Sequence, residues 1–345
     1  MRNSRADAGF TLPEALVAMG LTLMILGAAI TAFTQSINLF AASRAVSETN
    51  HGLQAAMSLM VRDLRQAGQG VPLGGVPIPS GDGVEALVRP GPPLDPDGDG
   101  VPLTFPEAST LPALSPGAGL GPTLLGVPTD MVTLLYADPT IALSQYPLAS
   151  IAADGSSMEV DARTSLTGAD GIKVGDLILF TNANGSAMQM VTSAPDGQTV
   201  AFALNDALHL NQRAASQGTL LSLQSSPGVF PPTTATRLLM ISYYIDAQTD
   251  STLPRLIRRV NDNDPLVIAM GIENLQLSYD IVDGETNPAN VDDLPDGASA
   301  NQLRKVNIFL SGRSEDKTTP TGEYFRNSMT TDVGLRSLSY VDRYR

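Results

Sequence analysis

Carboxylates are the residues in this chain best placed to do chemistry. Glu14 stands at the head of a run, Ala15 to Ser43, that contains no charged residue. A carboxylate in hydrocarbon costs on the order of 2.5–3.5 kcal/mol at a helix centre, and less toward the end. Glu14 is therefore either a functional group or a side chain solvated at headgroup level. A second candidate is Asp95-Pro96-Asp97-Gly98-Asp99-Gly100. Acidic residues at positions 1, 3 and 5 with Gly at 6 match the front half of a Ca²⁺ loop. The alternation turns three carboxylates to the inside of a bend. The twelfth position is Pro106, and Glu107 comes one place late, so the bidentate ligand is missing or displaced. Asp95, Asp97 and Asp99 read either as Ca²⁺ ligands or as a solvated acidic turn. A further acidic stretch, Glu273 to Asp296, has seven acids and no base but no regular ligand spacing.

Other chemistries are poorly supplied. There is no cysteine, hence no thiolate nucleophile and no Cys-based metal site. The two histidines, His51 and His209, lie far from any motif, and His51 reads as a solvated helix residue. No G-x-S-x-G stretch occurs, and the paired carboxylates sit in Gly-rich loops rather than in a core that would shift their pKa. The sequence reads as that of a non-enzyme. Its 35 acidic and 21 basic residues leave a net charge of −14. That argues against nucleic acid as a partner, because affinity for phosphates rests on Lys and Arg releasing counterions.

The element that must position Glu14 is apolar. Ala15 to Phe33 is a dense run, close to the roughly 20 residues needed to cross a bilayer once. No later segment resembles it, so a single-pass protein is expected. A secretory signal peptide fits badly: its apolar region is only about 7–15 residues, and the nearest small-x-small site, Ala41-Ala42-Ser43, lies far downstream. A plain anchor fits the length but leaves Glu14 unexplained. Arg2 and Arg5 keep the N-terminus cytoplasmic, which puts everything after about Ser43 outside the cytoplasm.

Gly9-Phe10-Thr11-Leu12-Pro13-Glu14 resembles the processing site of type IV prepilins. In that family a short basic leader ends in Gly, a prepilin peptidase cuts after it, and the new N-terminal amine, usually on Phe, is methylated. The fifth mature residue is Glu, and counting from Phe10 it is Glu14. The resemblance implies cleavage at Gly9, N-methylation of Phe10, and a Glu14 carboxylate that meets the Phe10 amine of an adjacent subunit in a filament. Burying either charge alone costs several kcal/mol, and pairing reduces that cost. Pro13 departs from the commoner apolar residue, but it falls in the first helical turn, where its missing N–H has no intrahelical partner anyway. Loss of the leader removes Arg2, Arg5 and Asp7, leaving 19 basic and 34 acidic residues. The implied fold is α+β and pilin-like, a long N-terminal spine helix followed by an antiparallel β-rich outer domain. The implied partners are the prepilin peptidase, other pilins and an inner-membrane assembly platform. Later motifs are similar to those of a PilW-like minor pilin, near the J-type pseudopilin of type II secretion: D-x-V-T-L-x-Y-A from Asp130, Arg258-Arg259, G-I-E-N-L-Q-L-S-Y-D from Gly271 and Ser311-Gly312-Arg313-Ser314. Localisation would be the inner membrane, then the filament, where so large a head is easiest to place at the tip.

The expected organisation is a leader at 1–9, a spine helix at 10–67 with its transmembrane part at about 15–40, a connector at 68–129 and a β-rich domain at 130–345. Val46, Asn50, Leu53, Met57, Met60, Leu64 and Ala67 recur at steps of three and four, one face of a helix that should hold the outer domain. Gly68 and Gly70 supply a stop signal. The connector holds 13 Gly and 13 Pro and reads as irregular rather than as a packed element. Strands are expected at 131–137, 175–182 and 238–245, with a hairpin turning at Pro195-Asp196-Gly197 and another joining 238–245 to 254–260. The alternative function is a membrane-anchored adhesin or ligand-binding module displayed outside the cytoplasm.

Overall fold

The computed structural model describes residues 11–92, 101–168, 170–295, 300–318 and 322–338. Gly9, Phe10, Asp95, Asp97 and Asp99 lie outside them. One helix, α1 (Leu12–Gln66), precedes a series of antiparallel strands, so the chain is α+β with its helix first. The helix starts after an extended Thr11 with Pro13 in its first turn, and stops where Gly68 takes φ +83°. The chain then docks at once: Gly68 N–H donates to the Leu135 carbonyl at 2.9 Å, and Ala137 N–H to that of Gln69 at 2.7 Å.

The principal strands are β1 (Leu114–Gly117), β2 (Met131–Ala137), β3 (Leu177–Asn182), β4 (Gly185–Met190), β5 (Thr234–Asp246), β6 (Arg255–Val260), β7 (Leu266–Met270), β8 (Ile272–Ile281), β9 (Leu303–Thr318) and β10 (Glu323–Gly334). The long β5 organises a seven-stranded sheet. It pairs with β3 over 234–238, β2 over 238–243 and β6 over 241–246. β1 adds to β2, β4 to β3, and β7 to β6. β8, β9 and β10 form a second, three-stranded antiparallel sheet.

Alternation along β5 assigns its faces. Ile241, Tyr243 and Ile245 join Leu53, Met57, Met60 and Leu64 of α1 in one core, with Leu275, Leu277 and Leu310 of the second sheet. Leu238 and Met240 point the other way and pack against Val76, Ile78, Leu87, Phe105 and Leu111. The segment 68–129, expected to be an irregular connector rather than a packed element, is instead packed: it covers the sheet face opposite the helix and contributes β1 to the sheet. Its anchor is Arg89, 2% exposed, which donates to Thr133 Oγ1 (3.0 Å) and to the carbonyls of Pro116 (2.8 Å) and Ser115 (2.7 Å). With both faces covered, β2 and β5 read as continuous apolar runs rather than alternating ones.

The expected β5–β6 hairpin forms, with Tyr243 opposite Arg258. The turn at Pro195-Asp196-Gly197 also closes, through Asp196 and Thr199. Its flanks part company, however. Gly185–Met190 pairs back onto β3, while Thr199–Ala201 joins a small sheet with Ser157–Glu159. β7 and β8 are separated by Gly271 alone, where the chain leaves one sheet and enters the other.

Two buried ion pairs pin the ends of these strands. Arg237 Nη2 lies 2.7 Å from Asp138 Oδ2, and Arg255 Nη2 lies 2.7 Å from Asp246 Oδ2. Burial raises both carboxyls, but hydrogen bonds from Thr140 and Thr249 together with the arginines outweigh it and hold them below the ordinary range. A folded pKa below the unfolded value of about 3.9 stabilises above that pH and loses the gain as acid protonates the group. Asp130 and Asp176 act oppositely, since burial raises them. The melting temperature should therefore fall below about pH 4, and fall less in the Asp138→Asn/Asp246→Asn variant. Parallel acid profiles of the two proteins by circular dichroism would show otherwise.

Candidate functional site

The candidate site is the helix itself, from its first carboxylate to its seat in the head. At its start, Glu14 Oε2 accepts the Thr11 N–H at 3.0 Å and the Thr11 hydroxyl at 2.7 Å. The first of these bonds belongs to a capping box, Thr11-x-x-Glu14, and satisfies an amide that has no partner within the helix. Among the described residues Glu14 Oε1 accepts nothing, which leaves one oxygen for a cation.

From Leu12 to Phe40 the helix has no tertiary cover. Leu12 and Phe40 are each 76% exposed, and the large apolar side chains between them face outward all round. At 1.5 Å per residue this bare part is about 43 Å long, enough to cross a bilayer. Its hydroxyls are satisfied internally. Thr22, Thr31, Thr34 and Ser36 each donate to the carbonyl four residues back, at 2.8–2.9 Å. They therefore carry no unpaired donor into an apolar medium.

The second half is seated in the head. Val46 and Asn50 are half-buried, and Leu53, Met57, Met60, Leu64 and Ala67 are buried, as the periodicity predicts. His51 is exposed. An acid, Asp63, with no exposed surface, shares that buried face. Arg258 Nε and Tyr243 Oη each donate to its Oδ2 at 2.7 Å, and Tyr136 Oη lies 3.4 Å from Oδ1. These partners come from three adjacent strands, β2, β5 and β6. Burial opposes the Arg258 charge, but Asp63 outweighs it and holds the guanidinium above its ordinary value. Burial, then the Asp63 charge, pushes the Tyr136 hydroxyl up to about 12. One carboxylate thus fixes the rotation and height of the helix against the sheet.

No protein-family model matches this sequence, and no curated protein matches it. The chain is similar to a solved type IV-like pilin from Thermus thermophilus at 12% identity. That alignment covers 48% of this chain and 89% of the other, with a TM-score of 0.19.

Sequence reasoning passed over Asp63, Tyr243 and Arg89, and met Tyr136 and Arg258 only within motifs, with no role assigned to either. For Asp63 a signal existed: Ala56, Met60, Asp63 and Ala67 follow steps of four, three and four, which puts an acid beside the apolar stripe. The capping box was legible too. Several acids of the stretch from Glu273 already have partners: Glu273 pairs with Arg313 and Arg326, and Asp280 with Lys305. Asp283 accepts from the backbone of Glu285, Thr286 and Asn287 and from the Thr286 hydroxyl, and these bonds lower its pKa to about 2. Among the described residues no three His, Asp or Glu side chains converge as metal ligands.

Proposed function

We infer that this chain is a minor pilin, cut after Gly9, methylated on Phe10 and incorporated into a type IV pilus or related filament, which it helps to initiate. The observation that carries this reading is the division of one unbroken helix. Residues 12–40 expose apolar side chains all round, while residues 49–67 are built into the head. So large an apolar surface needs cover. Lipid supplies it before assembly, and the helices of neighbouring subunits supply it afterwards. Glu14 then sets the register, with its unused oxygen on the Phe10 amine of the next subunit. The partners are the prepilin peptidase, other pilins and an inner-membrane assembly platform. The motifs resemble those of PilW-like minor pilins and sit near those of the J-type pseudopilin of type II secretion, and a role in either machine uses the same chemistry.

Intact mass of the protein recovered from filaments tests the processing. The expected mass lacks residues 1–9 and carries one added methyl group. A full-length mass in assembled filaments would overturn the proposal and leave a membrane-anchored adhesin or binding module. Glu14→Ala should insert in the membrane normally yet drop out of the filament fraction on immunoblots, because the buried amine then has no counter-charge, a loss of several kcal/mol. Incorporation at the wild-type level would disprove the charge pairing.

A further inference from the structure

A cavity of about 340 Å3 opens where the helix leaves the head, between α1 and the end of β9. Ala41, Ala45 and Gly52 leave it open on the helix side, and charged groups of both signs line it: Arg44 and Glu48 from the helix, and Arg313, Glu315, Asp316 and Lys317 from β9. Its height is set by arithmetic. Glu14 and Arg44 are consecutive charges along the helix, 30 residues apart, or about 45 Å at 1.5 Å per residue. That equals the thickness of a bilayer with its headgroups, about 40–45 Å. With Glu14 at the inner boundary, Arg44 and the cavity beside it lie in the outer headgroup layer. Tyr324 stands at the same level, its ring 3.8 Å from the Arg313 guanidinium and 5.6 Å from Lys317 Nζ. Tyr beside Lys and Arg is the composition favoured at a membrane–water interface.

We propose that this cavity receives the headgroup of an aminophospholipid, its phosphate on Arg44 and Lys317 and its ammonium on Glu48, Glu315 and Asp316. Neither sign prevails in the lining, which fits a zwitterion better than an anion. Arg44 and Glu48 pair with each other at 2.6 Å, but both are well exposed, at 79% and 59%. Exposed pairs of this kind are weak, so each partner can exchange the other for a ligand group. A primary ammonium donates three hydrogen bonds to the carboxylates, whereas a quaternary one donates none. Ethanolamine headgroups should therefore be preferred to choline. The bound lipid would hold the head upright on the membrane before the subunit is taken up.

This inference rests on the membrane half of the proposed function and not on filament assembly. The test uses the full chain in nanodiscs of phosphatidylethanolamine, phosphatidylcholine and phosphatidylglycerol, released and weighed by native mass spectrometry. Wild type should retain one phosphatidylethanolamine. Arg44→Gln/Lys317→Gln, with an unchanged circular dichroism spectrum, should retain it about tenfold less or weaker, as the loss of a charge-assisted hydrogen bond implies. No retained lipid, equal retention of all three lipids, or undiminished retention by the variant would overturn the proposal. Free phosphoethanolamine or inorganic phosphate that competes at equal concentration would move the site from a lipid to a solute and overturn it likewise. A chain that fails to enter nanodiscs at all would refute the membrane reading itself, a result distinct from entry without selectivity.

Discussion

Asp63→Ala should destabilise the head by about 3–5 kcal/mol, the cost of stripping one partner from a buried ion pair. The substitution leaves Arg258 with its guanidinium largely enclosed and its nearest anion gone. Tyr243, also fully buried, loses its acceptor. A cavity opens among Met60, Leu64 and Tyr136 as well. Asp63→Asn separates charge from shape, since it keeps the volume and one acceptor oxygen but not the anion. Asp63→Leu combined with Arg258→Leu should recover most of the loss, because replacing both members of a buried pair with apolar groups is often neutral. The measurement is the urea midpoint at constant slope. A shift of under about 1 kcal/mol for Asp63→Ala would mean that the helix is held by its apolar stripe alone. In the filament proposed above, a head that rotates on the helix would present the wrong surface to neighbouring subunits, even if the first 40 residues pack correctly.

Gly271→Ala should cost about 2–6 kcal/mol. Roughly 1–3 comes from a left-handed backbone at a non-glycine residue and a similar amount from forced repacking. Gly271 has φ +70°, and a Cβ placed there would lie 2.3 Å from the Arg313 carbonyl oxygen. That carbonyl belongs to β9, whose N–H at Arg313 donates to the Gly271 carbonyl at 2.7 Å. Moving it would disturb Glu273, which lies 2.9 Å from Arg313 and 2.8 Å from Arg326 across the three strands of the second sheet. Gly284 is the control. It has φ +88° but nothing within 4 Å of its would-be Cβ, so Gly284→Ala should show only the backbone cost, about 1–3 kcal/mol. Equal losses at the two sites by thermal melting would show that the contact with β9 is not tight.

The spine helix was legible because its signal is local. Periodicity of 3.6, a proline in the first turn and glycines past the last one are read over a few residues at a time. The observed Leu12–Gln66 lies within two residues of the expected ends, 10 and 67, and the buried face is the expected one. Hairpins fared differently. Pro195-Asp196-Gly197 does turn the chain, yet a turn specifies only its own four residues, and its flanks were captured by different sheets. Asn184-Gly185, between two apolar runs, was the stronger hairpin signal and marks the turn that joins β3 to β4. The Gly- and Pro-rich composition of 68–129 pointed to an irregular, unpacked connector, whereas the segment is packed and carries short strands, β1 among them. Such a composition does not decide burial, since five well-spaced side chains suffice to cover a sheet face.

By itself, the sequence determined that this chain has a helix able to cross a membrane, a carboxylate at its entrance and a β-rich head behind it. Each of these rests on interactions within a turn or two of the chain, or on a run of like residues. The tertiary structure decided where the helix is gripped. Asp63 meets Tyr243 and Arg258 from 180 and 195 residues away, and at Gly271 the close approach of β9 adds a steric demand to that of its left-handed backbone. Contacts at such separations depend on which strands become neighbours. That choice is made by the burial of whole faces, which no local pattern encodes.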